Sequence, residues 1–277
     1  SSGSATICAL VVAGLLFFRR HGRLASLTAC LALLNASEWV PFYWPHPVAD
    51  PIPHGSNASD SLVVVSTNVL SRNHRSAGLD RWLADADVAF ISEVDPWWDR
   101  QLESWKGDWP YQIRHPRRDN FGVALISRHP IVGSEQFELD GGNPAIQARI
   151  RTPKGEWTIV GLHPFPPAGR TYSTHRNLQL SAAARRIAGL PRPRVVLGDL
   201  NSTSSSPMFR DFIDRTGLSD SRRGFGWQPT WPAGSLILRI PIDHVLIDPD
   251  LVVVEREVGP DIGSDHLPVR VRLERTI

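Results

Sequence analysis

Val195-Val196-Leu197-Gly198-Asp199-Leu200-Asn201 is an apolar run that ends abruptly in a carboxylate and an amide. Its first three residues predict a buried strand, and Gly198 lets the backbone turn at the rim of the sheet. Asp199 and Asn201 are two positions apart, so their side chains point the same way while strand geometry persists. One can accept a proton, and the other can hold an oxygen in place. On its own the stretch also fits an ordinary turn, because Asp and Asn are frequent turn residues.

Polar residues recur at the ends of other apolar runs in this chain. Carboxylate, amide or imidazole side chains stand at six such ends: Asn68, Glu93, His163, Asp199 with Asn201, Asp243-His244 and Asp265-His266. Turn chemistry alone does not account for so regular a placement. Ends of strands in one sheet core meet at a common rim, where functional sites are often found. The pattern therefore predicts that these side chains converge.

The kinds of residue in this set indicate the chemistry. Carboxylates and carboxamides without cysteine favour a hard, oxygen-preferring cation, Mg²⁺ with Mn²⁺ as the alternative, over zinc. Histidines beside them can donate to a phosphate oxygen or a leaving group. Such a set suits hydrolysis of a phosphoester, in which a metal neutralises charge and a carboxylate aligns or deprotonates water. The sequence contains no GxSxG, which argues against a serine hydrolase.

Composition and periodicity predict an α/β fold. The 277 residues are 42% apolar, enough for a large core, and the net charge of +2 is too small to indicate a polyanion-binding surface. Both cysteines, Cys8 and Cys30, lie near the N-terminus, so a disulfide framework is not expected. Many strands and few helices predict two packed sheets with helices outside. Strands are predicted at residues 62–67, 88–92, 122–127, 146–150, 157–162, 194–197, 242–247, 251–257 and 267–273, and helices at 77–86, 97–105, 174–189 and 207–216.

The first 44 residues predict a membrane anchor. Apolar segments at residues 5–18 and 24–43 flank the basic turn 19–23, and the second has the roughly 20 residues that a spanning helix needs. Three arginines hold the turn in the cytoplasm by the positive-inside rule, so we expect an integral membrane protein with an extracytoplasmic catalytic domain. A proline-rich linker, 45–60, would then lead to a catalytic domain at 61–277. A cleaved signal peptide or a buried helical hairpin is the alternative.

Six motifs stand in a fixed order: Asn68, Ser92-Glu93, Gly161-Leu162-His163, Gly198-Asp199-Leu200-Asn201, Ile242-Asp243-His244 and Ser264-Asp265-His266-Leu267-Pro268. Together they resemble the endonuclease/exonuclease/phosphatase superfamily of deoxyribonucleases, sphingomyelinases and inositol-phosphate phosphatases, here as a membrane-anchored, bacterial-type member. The resemblance implies a four-layer α/β sandwich of two packed mixed sheets flanked by helices, preceded in this chain by a transmembrane helical hairpin. The glutamate motif reads SEV where many members have QE, but no ligand is lost.

The resemblance also implies which residues hold the metal. Glu93 would bind Mg²⁺, or Mn²⁺, with help from Asn68. Asp265 would be a second ligand or would orient the neighbouring His266.

Catalytic roles follow from the same resemblance. Asp199 would align or activate the attacking water, and Asn201 would position the phosphate. His266 would stabilise charge in the transition state, with Asp243 supporting a histidine. His163 would assist the leaving group or bind phosphate.

Substrate contacts are expected from three further residues. Arg170, in a proline-rich loop after His163, would bind a second phosphate, and Trp231 in a Pro-Thr-Trp segment would stack on substrate. Arg239 would contact substrate from the apolar segment 235–240. That segment predicts either a strand in the core or an exposed apolar loop beside the site, near a bilayer.

Three functions from different classes remain open at this point. The favoured one is a membrane-anchored, Mg²⁺-dependent phosphoester hydrolase, a phosphodiesterase or phosphatase, acting on a phosphorylated lipid or its headgroup at the outer face of the membrane. Tethering through the N-terminal hairpin would raise the local concentration of such a substrate. An extracytoplasmic Mg²⁺-dependent nuclease is the second reading, with nucleic acid a less favoured partner. A catalytically inactive, membrane-tethered interaction module is the third.

Overall fold

The computed structural model describes residues 9, 12, 14, 22–37, 40–44 and 61–275. Twelve strands build two sheets within these residues: β1 (Ser61–Asn68), β2 (Val88–Ser92), β3 (Tyr111–His115), β4 (Val123–Ser127), β5 (Ile131–Leu139), β6 (Asn143–Thr152), β7 (Gly155–Gly161), β8 (Arg194–Asp199), β9 (Ser219–Asp220), β10 (Asp243–Ile247), β11 (Leu251–Val258) and β12 (Val269–Arg275). The helices there are α1 (Gly22–Ala36), α2 (Ala77–Trp82), α3 (Pro96–Ser104), α4 (Gly169–Ala188) and α5 (Pro207–Thr216), with a 3₁₀ turn at Val40–Phe42.

Each sheet has six strands. One has the order β11-β12-β1-β2-β4-β3, and the other has the order β5-β6-β7-β8-β10-β9. Most neighbours run antiparallel, but β1 with β2 and β7 with β8 are parallel, so both sheets are mixed. The predicted pair of mixed sheets is confirmed.

The two sheets pack face to face with helices outside, because successive residues of each strand point to opposite faces. In β1, Leu62 and Val64 contact residues of the second sheet, including Trp157. Val63 and Val65 point the other way, onto α2 and α3. On the far side, α4 and α5 cover β7, β8 and β10. The order of layers is therefore helix, sheet, sheet, helix.

Strand register brings the polar strand ends to one rim. Asn68 is paired with Ser92 at the ends of parallel strands β1 and β2, which places Glu93 beside it. In the second sheet Asp243, at the start of β10, is paired with Asp199, at the end of β8. Gly198 adopts a φ of 143°, and a Cβ there would lie 1.9 Å from the carbonyl oxygen of Leu162. Glycine is thus required where β8 turns at the rim.

The N-terminal segment departs from the sequence prediction. Helix α1 ends at Ala36, not at residue 43, and its 15 residues span about 22 Å at 1.5 Å each, less than the hydrocarbon thickness of about 30 Å. Among the described residues, none of the helices combines the length and the apolar character that crossing a bilayer requires. Most of the expected first helix, 5–18, and all of the linker, 45–60, lie outside the described residues.

Phe42, at the end of the 3₁₀ turn, packs onto the two-sheet domain. Its ring lies 3.9 Å from the guanidinium carbon of Arg222, and its carbonyl oxygen accepts a hydrogen bond of 2.7 Å from the amide of Gly226. The end of the expected anchor therefore contacts the domain directly.

Candidate active site

The polar strand ends meet in a cleft of about 860 Å³. Its lining includes Glu93, His163, Asp199, Asp265 and His266, which come from the ends of three strands, β2, β7 and β8, and from the loop between β11 and β12. The strand registers of β1 with β2 and of β8 with β10 bring these side chains to the same rim.

Asp199 is the centre of the site. Its buried carboxylate accepts hydrogen bonds from Asn68 Nδ2 at 3.3 Å and from the amide of Asn201 at 2.9 Å. The Nε2 atoms of His163 and His266 each lie 3.6 Å from its Oδ2. Burial opposes the charge of Asp199, but the charge of His266 and the hydrogen bond from His163 outweigh it and lower the pKa to about 2. The site therefore holds an ionised acceptor at its floor.

His266 lies between two carboxylates. Its Nδ1 lies 2.9 Å from Asp243 Oδ2, and its Nε2 faces Asp199. Burial disfavours the imidazolium, yet the negative charges of Asp243 and Asp199 prevail and raise the pKa of His266 to about 10. Thr230 donates to the same Asp243 oxygen at 2.5 Å and fixes that carboxylate. A cationic, oriented histidine is thus fixed in the cleft.

Glu93 is held in a strained conformation beside Asn68. Its φ is 64°, in the left-handed region that side chains other than glycine rarely adopt, and such strain is typical of functional positions. Asn68 Nδ2 donates to Oε1 at 3.0 Å, and the amide of Ser71 donates to Oε2 at 3.2 Å. Each carboxylate oxygen keeps a lone pair for a further partner.

Asp265 supplies a second oxygen suited to a cation. Its Oδ1 is buried and has no hydrogen-bond partner among the described residues, while Oδ2 accepts from Trp231 Nε1 at 3.2 Å. A buried carboxylate oxygen without a partner costs free energy unless a cation or water completes it. With Glu93, it provides the oxygen ligands that Mg²⁺ and Mn²⁺ prefer, so the residues fit the expected divalent ion.

Asp199, Asp243 and His266 form a second group of potential ligands, with atoms within 4.8 Å of one another. A metal needs the lone pair of a neutral imidazole. His266 engages Asp243 through Nδ1 and faces Asp199 through Nε2, so both ring nitrogens already have partners. This group therefore suits charge stabilisation.

Two other predicted residues also line the cleft. His163 lies beside Phe121, with ring centroids 5.6 Å apart, and its buried Nδ1 has no hydrogen-bond partner among the described residues. Asn201 has a φ of 49°, and its Nδ2 donates to the carbonyl oxygen of Pro164 at 3.0 Å. The second positive φ again marks strain at this rim.

The predicted substrate contacts divide. Trp231 lines the cleft, as expected of a stacking residue. Arg170 is exposed and does not line it, so its expected phosphate contact is not supported. Arg239 also lies outside the lining and donates to the carbonyl oxygens of Pro232 and Ala233, so it ties a loop together instead.

Sequence reasoning missed other lining residues. Arg176, on the same helix α4 as Arg170, lines the cleft and donates to the carbonyl oxygen of Asn201 at 2.8 Å. An apolar wall contains Phe121 and Tyr172, which contact the ring of Phe165. Arg170 and Arg176 lie on different faces of α4, and only the fold shows which of the two faces inward.

Residues 232–239 form a loop, hereafter the apolar loop, at the mouth of the cleft. Its base is closed by a bridge between Trp231 and Ile240, and both residues line the cleft. Its tip exposes Leu236 by 86%, Ile237 by 74% and Leu238 by 67%. Of the two expected structures for this segment, the core strand is wrong.

Known proteins share this architecture. No curated protein matches the chain. Among solved structures, an endonuclease/exonuclease/phosphatase from Beutenbergia cavernae DSM 12333 is similar with a TM-score of 0.61 and 20% identity, over 78% of this chain and 72% of that one. D. rerio TDP2 complexed with a single-strand DNA product has a TM-score of 0.64 and 18% identity, over 78% and 99% of the chains.

Sphingomyelinase C from Streptomyces griseocarneus is similar with a TM-score of 0.56 and 17% identity, over 76% of this chain and 99% of that one. At these identities the likeness shows the fold. The sequence itself matches the Endonuclease/Exonuclease/phosphatase family over residues 65–266, well over half of the 277 residues. The chain therefore belongs to the endonuclease/exonuclease/phosphatase family, whose members are phosphoesterases.

Proposed function

We propose that this protein is a Mg²⁺-dependent phosphoester hydrolase that acts at a membrane surface on a phosphorylated lipid or its headgroup. The observation that carries the proposal is the cleft itself, in which Asp199, His266 and Glu93 stand beside an apolar wall. Membrane anchoring through the N-terminal segment and an extracytoplasmic location are part of the proposal.

The residues divide the chemistry between them. A divalent ion held by Glu93 and Asp265 would neutralise charge on the phosphoryl group. Asp199 accepts a hydrogen bond from the attacking water and aligns it, because its carboxylate is fixed by Asn68 and Asn201. His266, fixed by Asp243, offers its Nε2 proton to a phosphoryl oxygen that gains charge in the transition state.

His163 also lies beside Asp199 and would support the leaving group. Its Nε2 lies 3.6 Å from the Asp199 carboxylate, and its ring is held against Phe121. An imidazole so placed can donate a proton or a hydrogen bond to the departing oxygen.

The apolar surroundings support a lipid substrate. Phe121, Tyr172 and Trp231 contribute aromatic surface to the cleft, and the tip of the apolar loop carries three exposed aliphatic side chains at its mouth. Exposed apolar patches often mark protein or membrane interaction sites. The name of the similar sphingomyelinase indicates a lipid substrate, and we propose a lipid substrate for this chain as well.

The charges lining the cleft favour a lipid over nucleic acid. Strong binding of nucleic acid depends on several Lys or Arg contacts to phosphates. Among the described residues that line the cleft, Arg176 is the single lysine or arginine. Four acidic residues also line the cleft: Glu93, Asp119, Asp199 and Asp265.

A substrate panel tests the proposal. Purified chain is assayed with Mg²⁺ or with EDTA on phosphatidic acid vesicles, bis(p-nitrophenyl) phosphate, p-nitrophenyl phosphate and plasmid DNA. We expect Mg²⁺-dependent turnover that is fastest on the vesicles and is abolished in Asp199→Asn. Preferential cleavage of the plasmid would support the nuclease instead, and an absence of turnover on the whole panel would contradict the proposed function.

A further inference from the structure

The turn that follows β8 carries Asn201 in a strained conformation, and contacts from outside the cleft hold it. The φ of Asn201 is 49°, and its amide donates to Asp199 Oδ1 at 2.9 Å. Strain of this kind persists only where surrounding contacts fix the backbone. His244 supplies one such contact, because its Nε2 donates to the carbonyl oxygen of Ser202 at 2.8 Å. The conformation beside Asp199 therefore depends in part on how His244 itself is held.

His244 lies on β10 and is held from two sides. The side chain is buried, and its ring centroid lies 4.6 Å from that of Phe209 on α5. Its Nδ1 faces a carboxylate, Asp220 Oδ2, at 3.7 Å. The other oxygen of this carboxylate accepts from the amide of Arg222 at 2.9 Å. Since the partner of one ring nitrogen sets the orientation of the whole imidazole, Asp220 helps to aim Nε2 at Ser202.

Arg222 is the cation that fixes Asp220. Its side chain is fully buried, its Nη2 lies 3.2 Å from Asp220 Oδ2, and its Nη1 donates to the carbonyl oxygen of Trp227 at 3.1 Å. Burial lowers the pKa of Arg222, and the negative charge of Asp220 opposes that shift. The attraction within such a pair is strong only where water is excluded, because water screens charges. The group that covers the guanidinium therefore affects how firmly Asp220 is held.

Phe42 of the N-terminal segment supplies that cover. It is buried, and its ring centroid lies 3.9 Å from the guanidinium carbon of Arg222, whereas the ring of Trp227 is more distant at 5.5 Å. Aromatic faces attract a desolvated cation. The carbonyl oxygen of Phe42 accepts from the amide of Gly226 at 2.7 Å, and a Cβ at Gly226 would lie 3.2 Å from the ring of Tyr43. The segment therefore fits closely onto the domain through its backbone and its side chains.

We propose that residues 40–44, hereafter the docking segment, support the active site from outside the cleft. Phe42 shields the ion pair of Arg222 with Asp220. That pair holds His244, whose hydrogen bond fixes the turn after β8. Arg222, Asp220 and His244 are positioning residues, since the lining of the cleft does not include them.

The docking segment thus acts on the site in a way that a simple tether does not. A tether raises the local concentration of a membrane-bound substrate and has no effect on a soluble one. Support of the turn after β8 affects both kinds of substrate, because Asp199 must stay aligned for either. The effect on turnover rests on the proposed function, whereas the order of the turn is measurable without turnover.

Steady-state hydrolysis of the soluble substrate bis(p-nitrophenyl) phosphate by the full chain tests the docking segment. Phe42→Ala removes the cover of Arg222. Trp44→Ala is the matched control, because Trp44 is an aromatic residue of the same segment whose side chain is 75% exposed. Circular dichroism and thermal unfolding check that each variant folds.

A second set of variants tests His244. His244→Leu removes the donor to Ser202, whereas His244→Gln keeps an N–H donor at a similar reach. Leu246→Ala is the control for general destabilisation, because Leu246 is fully buried two residues further along β10, away from the rim. In all variants, hydrogen exchange of the backbone amides at residues 199–203 reports the order of the turn directly.

The expected result is a loss of turnover together with a local loss of order. Phe42→Ala and His244→Leu should each lower kcat by about tenfold or more, since a small misplacement of a reacting group is costly. KM should change by less than about twofold. Exchange at residues 199–203 should rise in the same two variants. Trp44→Ala and Leu246→Ala should keep kcat within about threefold of the wild type, and His244→Gln should recover most of the activity that His244→Leu loses.

Two outcomes would overturn the inference. One is a folded Phe42→Ala with wild-type kcat and wild-type exchange at residues 199–203. The other is a Leu246→Ala that lowers kcat as much as His244→Leu at an equal loss of thermal stability, because general loosening would then explain both. Should Phe42→Ala fail to fold, Phe42→Leu and the two His244 variants decide by the same criteria. A wild type without turnover on the substrate panel would remove the proposed enzyme, but the exchange measurements would still decide this inference, so the two fail separately.

Discussion

Asp243→Asn separates two roles for the group formed by Asp199, Asp243 and His266. In our account Asp243 fixes a cationic His266 through the contact of 2.9 Å at Nδ1 and takes no part in metal binding. In the competing account the three side chains, whose ligand atoms lie within 4.8 Å of one another, hold the ion themselves. The substitution removes one negative charge and leaves the shape of the side chain nearly unchanged.

The expected magnitude follows from the contact that is lost. A hydrogen bond to a charged partner contributes about 1.5–3 kcal/mol, and if the loss falls on the transition state, kcat drops by roughly 10- to 150-fold. Thr230 Oγ1 still finds an acceptor in the amide oxygen of asparagine, so the local packing should persist. The affinity for Mg²⁺ should change by less than about threefold.

The assay pairs steady-state hydrolysis of bis(p-nitrophenyl) phosphate with calorimetric titration of Mg²⁺. Asp248→Asn is the matched control, because Asp248 is a fully buried aspartate just beyond the opposite end of β10 and pairs with Arg194 at 2.6 Å. It should lower the free energy of unfolding and leave kcat near the wild-type value. Full kcat in Asp243→Asn, or a loss of about tenfold or more in its Mg²⁺ affinity, would contradict a role for Asp243 in fixing His266.

Three further predictions concern the metal, the apolar loop and a buried acid. Glu93→Ala should weaken Mg²⁺ binding by at least about tenfold in calorimetry, and unchanged affinity would place the ion elsewhere. Leu236→Glu combined with Leu238→Glu should reduce sedimentation with phosphatidic acid vesicles and leave hydrolysis of bis(p-nitrophenyl) phosphate intact; equal loss of both would contradict a membrane role. Arg222 and His244 outweigh burial and hold the pKa of Asp220 well below its usual value, so its stabilising effect is present above about pH 4 and is lost as pH falls. The unfolding free energy of wild type relative to Asp220→Asn should therefore decrease by roughly 1.4 kcal/mol per pH unit below about pH 4; a difference independent of pH would contradict this.

Much of the candidate site could be predicted because it depends on strand ends. Asn68, Glu93 and Asp199 each follow a run of buried residues, and such runs are readable as strands without knowing their partners. Parallel and antiparallel pairing then brings those ends to one rim.

The edge strand β11 was predicted, but the edge strands β3 and β5 were not, for a physical reason. β3 and β5 stand at the edges of their sheets and keep several side chains exposed or half-buried. Without a fully buried face their sequences lack the alternation that identifies a strand. Arg114, in β3, pairs with Asp99 and Glu103.

The sequence also could not predict which residues of a helix face the cleft. Arg170 and Arg176 occupy the same helix, α4, and both follow the histidine motif. Which of them faces the cleft depends on how α4 lies against β7 and β8, and that is decided by distant apolar contacts such as those of Leu180 and Ile187. The contact of Thr230 with Asp243 could not be predicted from the sequence either, since it depends on how the loop between them folds.

The position of the bound ion tests the account most directly. Crystals of the chain soaked in Mn²⁺ would give an anomalous difference peak at the metal. We predict one peak within coordination distance, about 2.0–2.3 Å, of a Glu93 carboxylate oxygen, with Asp265 close by. A peak coordinated by Asp243 and His266, or no peak near Glu93 at saturating Mn²⁺, would contradict the division of the cleft into a metal end and a charge-stabilising histidine.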